Sequence, residues 1–376
     1  MVDALSLPGW VYHDPEFFAV EMERVIRPAW QIVCHQNDIP HAGDWRSLDL
    51  LGEGLFAIRG ADGVIRAFAN VCRHRGSRLL DGEGGCARRL TCPYHAWTYA
   101  ADGRLIGVPN RADYGDLRME DWGLLPVEVE LWQGFVFVRL ESGGPSVAEM
   151  LAAHAEEVAP YRLDELQALG RITLRPRPVN WKNVADNYSD GLHISVAHPG
   201  LTRLFGGHYR IDAGEHSDRM SGDLVDQPSR NLSERAYQAM LPEVDLPAAQ
   251  RRRWLYLKLW PNAAIDIYPD QVDFMHFVPV GPTETLVREV SYGLSDDRRE
   301  MRAARYLNWR INRRVNAEDT ELITRVQQGM ASRRYTPGPL GESEVCLRRF
   351  ARRLREIIPE ARQERPPPPG WSRSGG

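Results

Sequence analysis

Four residues between positions 72 and 95 have the types and spacing of a metal site. They are Cys72 and His74 in Cys72-Arg73-His74-Arg75-Gly76, then Cys92 and His95 in Cys92-Pro93-Tyr94-His95-Ala96-Trp97. Two cysteines with two histidines suit tetrahedral zinc. They equally suit a [2Fe–2S] centre with both thiolates on one iron and both imidazoles on the other, each short loop giving one ligand to each iron. Further along, His193 and His198 lie in the run Asp186-Asn187-Tyr188-Ser189-Asp190-Gly191-Leu192-His193-Ile194-Ser195-Val196-Ala197-His198-Pro199-Gly200. Two histidines and a carboxylate can bind Fe(II) on one face and leave the other positions to O2 and substrate. Residues five apart on a regular helix differ by about 140°. The helix must therefore end or distort between the two histidines, and Pro199-Gly200 marks a nearby end.

The elements that must position these residues change character along the chain. Asp14 and Pro15 read as the N-cap and first position of a helix carrying Phe18, Met22 and Val25 or Ile26, ended by Pro28. From Trp45 the pattern turns strand-like, with Ala61-Asp62-Gly63, Ala101-Asp102-Gly103 and Gln133-Gly134 as turns, giving a small all-β domain with the Cys/His pairs on loops at one end. Ser142-Gly143-Gly144-Pro145 is the clearest internal boundary. Strands return from Trp254 to Leu294 after a polar region at 207–250. Ser295-Asp296-Asp297 reads as the cap of a charged helix, Asn316 as the cap of another from Ala317, and a last amphipathic helix is expected over 343–358. Residues 365–376, with four consecutive prolines, read as disordered.

At 376 residues the chain is long enough for about two domains. A formal charge of −4 gives no reason to expect nucleic acid. Lys182 and Lys258 are the only lysines, a matter of composition. The cysteines are Cys34, Cys72, Cys86, Cys92 and Cys346. An odd number with two candidate ligands argues against a disulfide framework, and Cys86 reads as a small spacer. Thiolate ligands call for a reducing compartment, the cytoplasm. No apolar run approaches the ~18 residues of a membrane span, and the N-terminus lacks a secretory pattern.

The loops Cys-x-His-Arg-Gly and Cys-x-Tyr-His-x-Trp closely resemble the Rieske box. Asn180-Trp181-Lys182 through Asp190-x-x-His193-x4-His198-Pro199, at its proper distance downstream, resembles the catalytic domain of the Rieske non-haem iron oxygenases. The segment Val315-Asn316-Ala317-Glu318-Asp319-Thr320-Glu321-Leu322-Ile323, followed by Val326-Gln327-Gln328-Gly329, is similar to the family's third-ligand segment. The aligned ligand is Asp319, with Glu318 its competitor. Read without the resemblance, the cluster is favourable charge at a helix start.

The resemblance implies an α+β fold. A small all-β Rieske [2Fe–2S] domain at 36–145 would join an antiparallel-sheet-and-helix, helix-grip-like catalytic domain built from 1–35 and 146–364. It implies Cys72, His74, Cys92 and His95 on the cluster, and His193, His198 and Asp319 on a mononuclear Fe(II). Asp190 would bridge His95 of one subunit and His193 of its neighbour in a homotrimer; some members add a small β subunit. Electrons would come from a flavin-dependent NAD(P)H reductase, with or without a ferredoxin, since no dinucleotide-binding motif is found in the chain. The implied activity is that of a terminal oxygenase that uses O2 to hydroxylate or oxidatively demethylate an aromatic or other small organic compound. Length and pattern are closer to the shorter α-only members, including carnitine and related quaternary-ammonium oxygenases, which tend to carry Glu where this chain has Asp190. Trp254, Tyr256, Trp260, Tyr268, Phe274 and Phe277 are expected mainly in the core, with a cation cage as the alternative. Two rival readings are an electron carrier fused to a binding domain and a zinc-stabilised protein.

Overall fold

The structure, a computed structural model, describes residues 4–85 and 88–374, so Cys86 lies outside the described residues. The chain forms two compact units. The smaller comprises Arg27–Glu149 and Asp164–Gln167. Its seven-stranded sheet runs β1 (Gln31–His35), β10 (Phe135–Arg139), β9 (Pro126–Trp132), β4 (Ile65–Ala69), β3 (Glu53–Arg59), β2 (Trp45–Leu50) and β5 (Glu83–Gly84). A small second sheet holds β6 (Leu90–Thr91), β7 (Thr98–Tyr99) and β8 (Leu105–Gly107). The strand pairs expected around Asp62-Gly63 and Gln133-Gly134 are present as β3–β4 and β9–β10. Pairing of Gln31 to His35 with β10 starts this unit before residue 36, because the five buried residues of β1 complete its sheet.

The larger unit holds α1 (Pro15–Glu21), capped by Asp14, whose side chain accepts from the Phe17 N–H at 2.7 Å. It also holds the single turn α3 (Ala155–Val158), while α2 (Val147–Met150) and the two-residue β11 (Gln167–Ala168) fall where the chain passes from one unit to the other. Its sheet is antiparallel, in the order β13 (Tyr209–Ala213), β14 (Ser217–Asp223), β15 (Arg253–Leu259), β16 (Ala263–Ile267), β17 (Val272–Gly281) and β18 (Glu284–Gly293). β12 (Thr173–Arg177) also pairs with β18. The helices are α4 (Trp181–Ser189), α5 (Ile194–Ala197), α6 (Pro199–Phe205), α7 (Leu232–Met240), α8 (Arg299–Met330) and α9 (Val345–Ile357). Among the described residues no helix is long and apolar enough to cross a membrane.

Three expectations are corrected. Asn316 caps nothing, because α8 runs unbroken for 32 residues from Arg299 and contains no proline. The polar stretch after 207 supplies β13 and β14, whose alternation gives the sheet one packed face, with Ile211 opposite Met220. The proline-rich end is held: the N–H groups of Gly370 and Ser372 donate to the Glu16 carboxylate at 3.0 and 2.8 Å, and Trp371 packs on Phe17.

Candidate metal centres

In the smaller unit the two ligand loops share one backbone design. The Cys72 N–H donates to Ser77 O and the Gly76 N–H to Cys72 O; the Cys92 N–H donates to Trp97 O and the Ala96 N–H to Cys92 O. The fourth residue after each cysteine is left-handed, Gly76 at φ 73° and Ala96 at φ 56°. Glycine takes that conformation freely, whereas alanine pays about 1–2 kcal/mol. The turns bury Cys72 and Cys92 to 2% and 3% exposure. The His74 and His95 rings lie 4.6 Å apart, and His74 stacks on Trp97 at 5.0 Å. Burial works to raise the Cys92 thiol pKa, but the backbone N–H groups of Tyr94 and His95 outweigh it and hold the pKa below the ordinary value.

The chemistry of this donor set fits a bridged two-iron cluster. Nδ1 of His74 and Nδ1 of His95 are buried without a hydrogen-bond partner. A buried imidazole nitrogen with no partner costs free energy unless a metal takes its lone pair.

In the larger unit α4 ends at Ser189, His193 begins the single turn α5, and His198 stands at the junction of α5 with α6. The expected break between the histidines is not found: the Ala197 N–H bonds to His193 O and the His198 N–H to Ile194 O, so the turn is unbroken and ends at His198 itself. Asp319 comes from the middle of α8. The ligand atoms of His193, His198 and Asp319 lie within 4.8 Å of one another. Asp319 Oδ1 is 3.5 Å from His193 Nε2 and 2.9 Å from His198 Nε2. The far ring nitrogens are held separately, His193 Nδ1 by Asp190 Oδ2 at 2.9 Å and His198 Nδ1 by Glu318 Oε2 at 2.9 Å. A carboxylate that accepts Nδ1–H fixes the tautomer and leaves the Nε2 lone pair for a metal. Sequence set Glu318 against Asp319 for one role; in the structure the two carboxylates meet different nitrogens of His198, Glu318 at Nδ1 and Asp319 at Nε2. Burial disfavours charge on His193, yet Asp190 and Asp319 outweigh it and raise its pKa to about 9; burial would raise Asp319, but the two imidazoles bring it to about 2.

Beside this triad lies a cavity of about 1000 Å³, including its open mouth. Successive strands line it in register: Tyr256 opposes Asp266, Asp266 opposes Asp273, Met275 opposes Glu289 and Phe277 opposes Val287. Tyr188 and Tyr268 both donate from Oη to the Asp266 carboxylate. Burial pushes Asp266 up to about 7 and Asp273 well above the carboxylate range. Burial also raises Glu289, against Arg175, and its Oε2 is buried without a partner. Of the aromatics singled out from sequence, Tyr256, Tyr268 and Phe277 line the cavity. Trp254 packs between Tyr237 and Tyr268, Trp260 on Phe350, and Phe274 on Tyr292. Nothing in the sequence pattern marked Asp266, Asp273 or Glu289, because single acids in strands ordinarily face water.

The family described as "Ring hydroxylating alpha subunit (catalytic domain)" matches residues 153–360, and "Rieske [2Fe-2S] domain" matches 29–126. The chain is 31% identical over 342 residues to the carnitine monooxygenase oxygenase subunit of Escherichia coli K12, covering 89% of this chain and 86% of that protein. It is 29% identical to the glycine betaine monooxygenase oxygenase subunit of Chromohalobacter salexigens, covering 89% and 81%. A solved quaternary ammonium Rieske monooxygenase superposes with a TM-score of 0.80 at 25% identity, covering 94% of this chain and 95% of that one. Naphthalene 1,2-dioxygenase from Rhodococcus sp. shares the fold, with a TM-score of 0.72 at 22% identity over 94% and 95% of the chains. With both family matches falling on the units that carry the two donor sets, the chain belongs to the Rieske non-haem iron oxygenases, as the terminal oxygenase component that carries a [2Fe–2S] cluster and a mononuclear iron.

Proposed function

We propose that this oxygenase acts on a cationic N-alkylammonium compound, hydroxylating or dealkylating it beside nitrogen. The observation that carries this reading is the direct opposition of Asp266 and Asp273 on neighbouring strands, inside a cavity walled by Tyr188, Tyr256, Tyr268 and Phe277. Like charges opposite each other in a sheet are destabilising, and buried carboxylates more so. A cation between them offsets both costs, and aromatic faces add about 0.5–2 kcal/mol for an ammonium group. An aromatic hydrocarbon would offer the two carboxyl groups no counter-charge and favour their protonated forms, toward which burial already pushes them. The names of the relatives, which act on carnitine and glycine betaine, favour the same class.

In this reading Cys72, His74, Cys92 and His95 hold the cluster, and His193, His198 and Asp319 hold the iron. Bound there, the cluster supplies single electrons and the iron the activation of O2. Asp190 and Glu318 keep the two imidazoles in the Nε2-ligating tautomer. Asp190 also accepts an N–H from His95 of the partner subunit in a homotrimer. Reducing equivalents come from a cytoplasmic flavin-dependent NAD(P)H reductase, directly or through a ferredoxin.

The test compares a trimethylammonium ligand with its neutral tert-butyl isostere by titration calorimetry. The cation is expected to bind at least about tenfold tighter. Asp266 has its folded pKa raised to about 7, so it is largely neutral at pH 6 and ionised at pH 8. Cation affinity therefore rises across that interval, and Asp266→Asn removes the rise. Equal affinity for the neutral isostere would sink the reading.

A further inference from the structure

The cavity that holds these carboxylates also holds a positive charge. β12 runs antiparallel to β18, with Arg175 opposite Val287 and Arg177 opposite Thr285. Two residues apart on a strand, the arginines point to the same face. Their surroundings differ. Arg175 is paired with Glu289 at 3.2 Å. Arg177 lines the cavity, donates to the carbonyl of its own neighbour Pro176 at 3.2 Å, and makes no ion pair among the described residues. Burial, and then the charge of Arg175, work against its protonation, while Glu289 and Asp319 favour it.

The cavity thus has two poles. Asp273 stands opposite Ser291 on β18 and Arg177 opposite Thr285, six residues away along the same strand. Six residues of strand span about 20 Å between backbones, and the long arginine side chain can close part of that distance. A half-buried guanidinium is a preformed fork for a carboxylate, which it binds with two parallel hydrogen bonds. An ammonium ligand without an anionic end would leave that fork unused.

We infer that Arg177 is a specificity-determining residue that seats the carboxylate of a zwitterionic substrate whose ammonium group lies at the Asp266–Asp273 pole. This deepens the proposed function and rests on it. The separation of the poles favours a substrate with several carbons between its charges. Arg177 holds the anionic end, and the substrate's orientation against the His193–His198–Asp319 face follows from both anchors together.

The experiment uses 4-(trimethylammonio)butanoate and its carboxamide, which keeps the cation and removes the anion. Dissociation constants come from calorimetry on the metal-loaded enzyme, and KM and kcat from turnover with its reductase. The wild type is expected to prefer the acid by at least about tenfold. Arg177→Gln should erase that preference by weakening the acid alone, with the carboxamide unchanged within about twofold, and Arg177→Lys should restore part of it. The change should fall on KM more than on kcat. Equal wild-type affinity for acid and carboxamide overturns the assignment, as does an Arg177→Gln variant that weakens both alike. If neither ammonium compound binds while the neutral tert-butyl isostere does, the proposed function itself fails, and this inference with it.

Discussion

In the smaller unit all four candidate ligands fall between positions 72 and 95, on loops that close with the same pair of backbone hydrogen bonds. In the larger unit His198 and Asp319 are 121 residues apart and meet only because α8 is packed beside the α5–α6 junction. The imidazoles differ as well. His74 and His95 present a partnerless Nδ1 inward, whereas His193 and His198 turn Nδ1 to carboxylates and offer Nε2. One site is shaped by local backbone and completed by the group it binds. The other is held in advance by charges from distant segments, at the cost of gathering Asp190, Glu318 and Asp319 in one place.

That contrast can be broken most decisively at the ligands. Cys92→Ser should cost the visible absorption and two of roughly three irons per chain, while Asp319→Ala should cost one iron and keep the colour. Metal analysis and reduced-state EPR read both, and turnover falls to background in each. Loss of colour in Asp319→Ala would show that the two sites are not independently built. A smaller effect is expected at Asp190→Ala: both metals stay bound, while coupled turnover drops by about 10–100-fold. Wild-type coupled turnover in that variant would remove Asp190 from the electron path. Smallest is Glu318→Gln, expected to weaken iron binding by about tenfold in metal titrations without altering the cluster spectrum. An unchanged affinity would mean that carboxylate support of His198 is dispensable.

The same contrast explains what could be read beforehand. The Cys/His loops were legible because their ligands are neighbours in sequence and their turns need particular residues. The end of the helix at His198 was signalled by Pro199-Gly200, whereas the angle between residues five apart called for a break between the histidines that the unbroken turn α5 does not show. Asp319 was reachable only by resemblance, since no local pattern separates it from Glu318; the difference lies in which imidazole nitrogen each meets. The poles of the cavity were not legible at all. Asp266 and Asp273 oppose each other only after β16 and β17 pair, and Arg177 differs from Arg175 only through what surrounds it. Asn316 resembled a cap, but nothing after it stops the turns of α8 from continuing.

Gln327, eight residues beyond Asp319 on α8, accepts from the Asn180 N–H and from Asn183 Nδ2, both at 2.8 Å, and donates to Tyr12 O at 3.0 Å. One buried amide thereby ties the beginning of the chain, the start of α4 and the late helix together. A slip of α8 by one residue would turn Asp319 through about 100° and shift it by about 1.5 Å, and this clasp is lost in any such slip. During synthesis the segment around Tyr12 emerges first and Gln327 emerges 315 residues later. The His193–His198–Asp319 cluster thus cannot be completed until α8 is made, although the two histidines are made long before. Trimming the N-terminal segment would loosen a metal site to which it contributes no ligand.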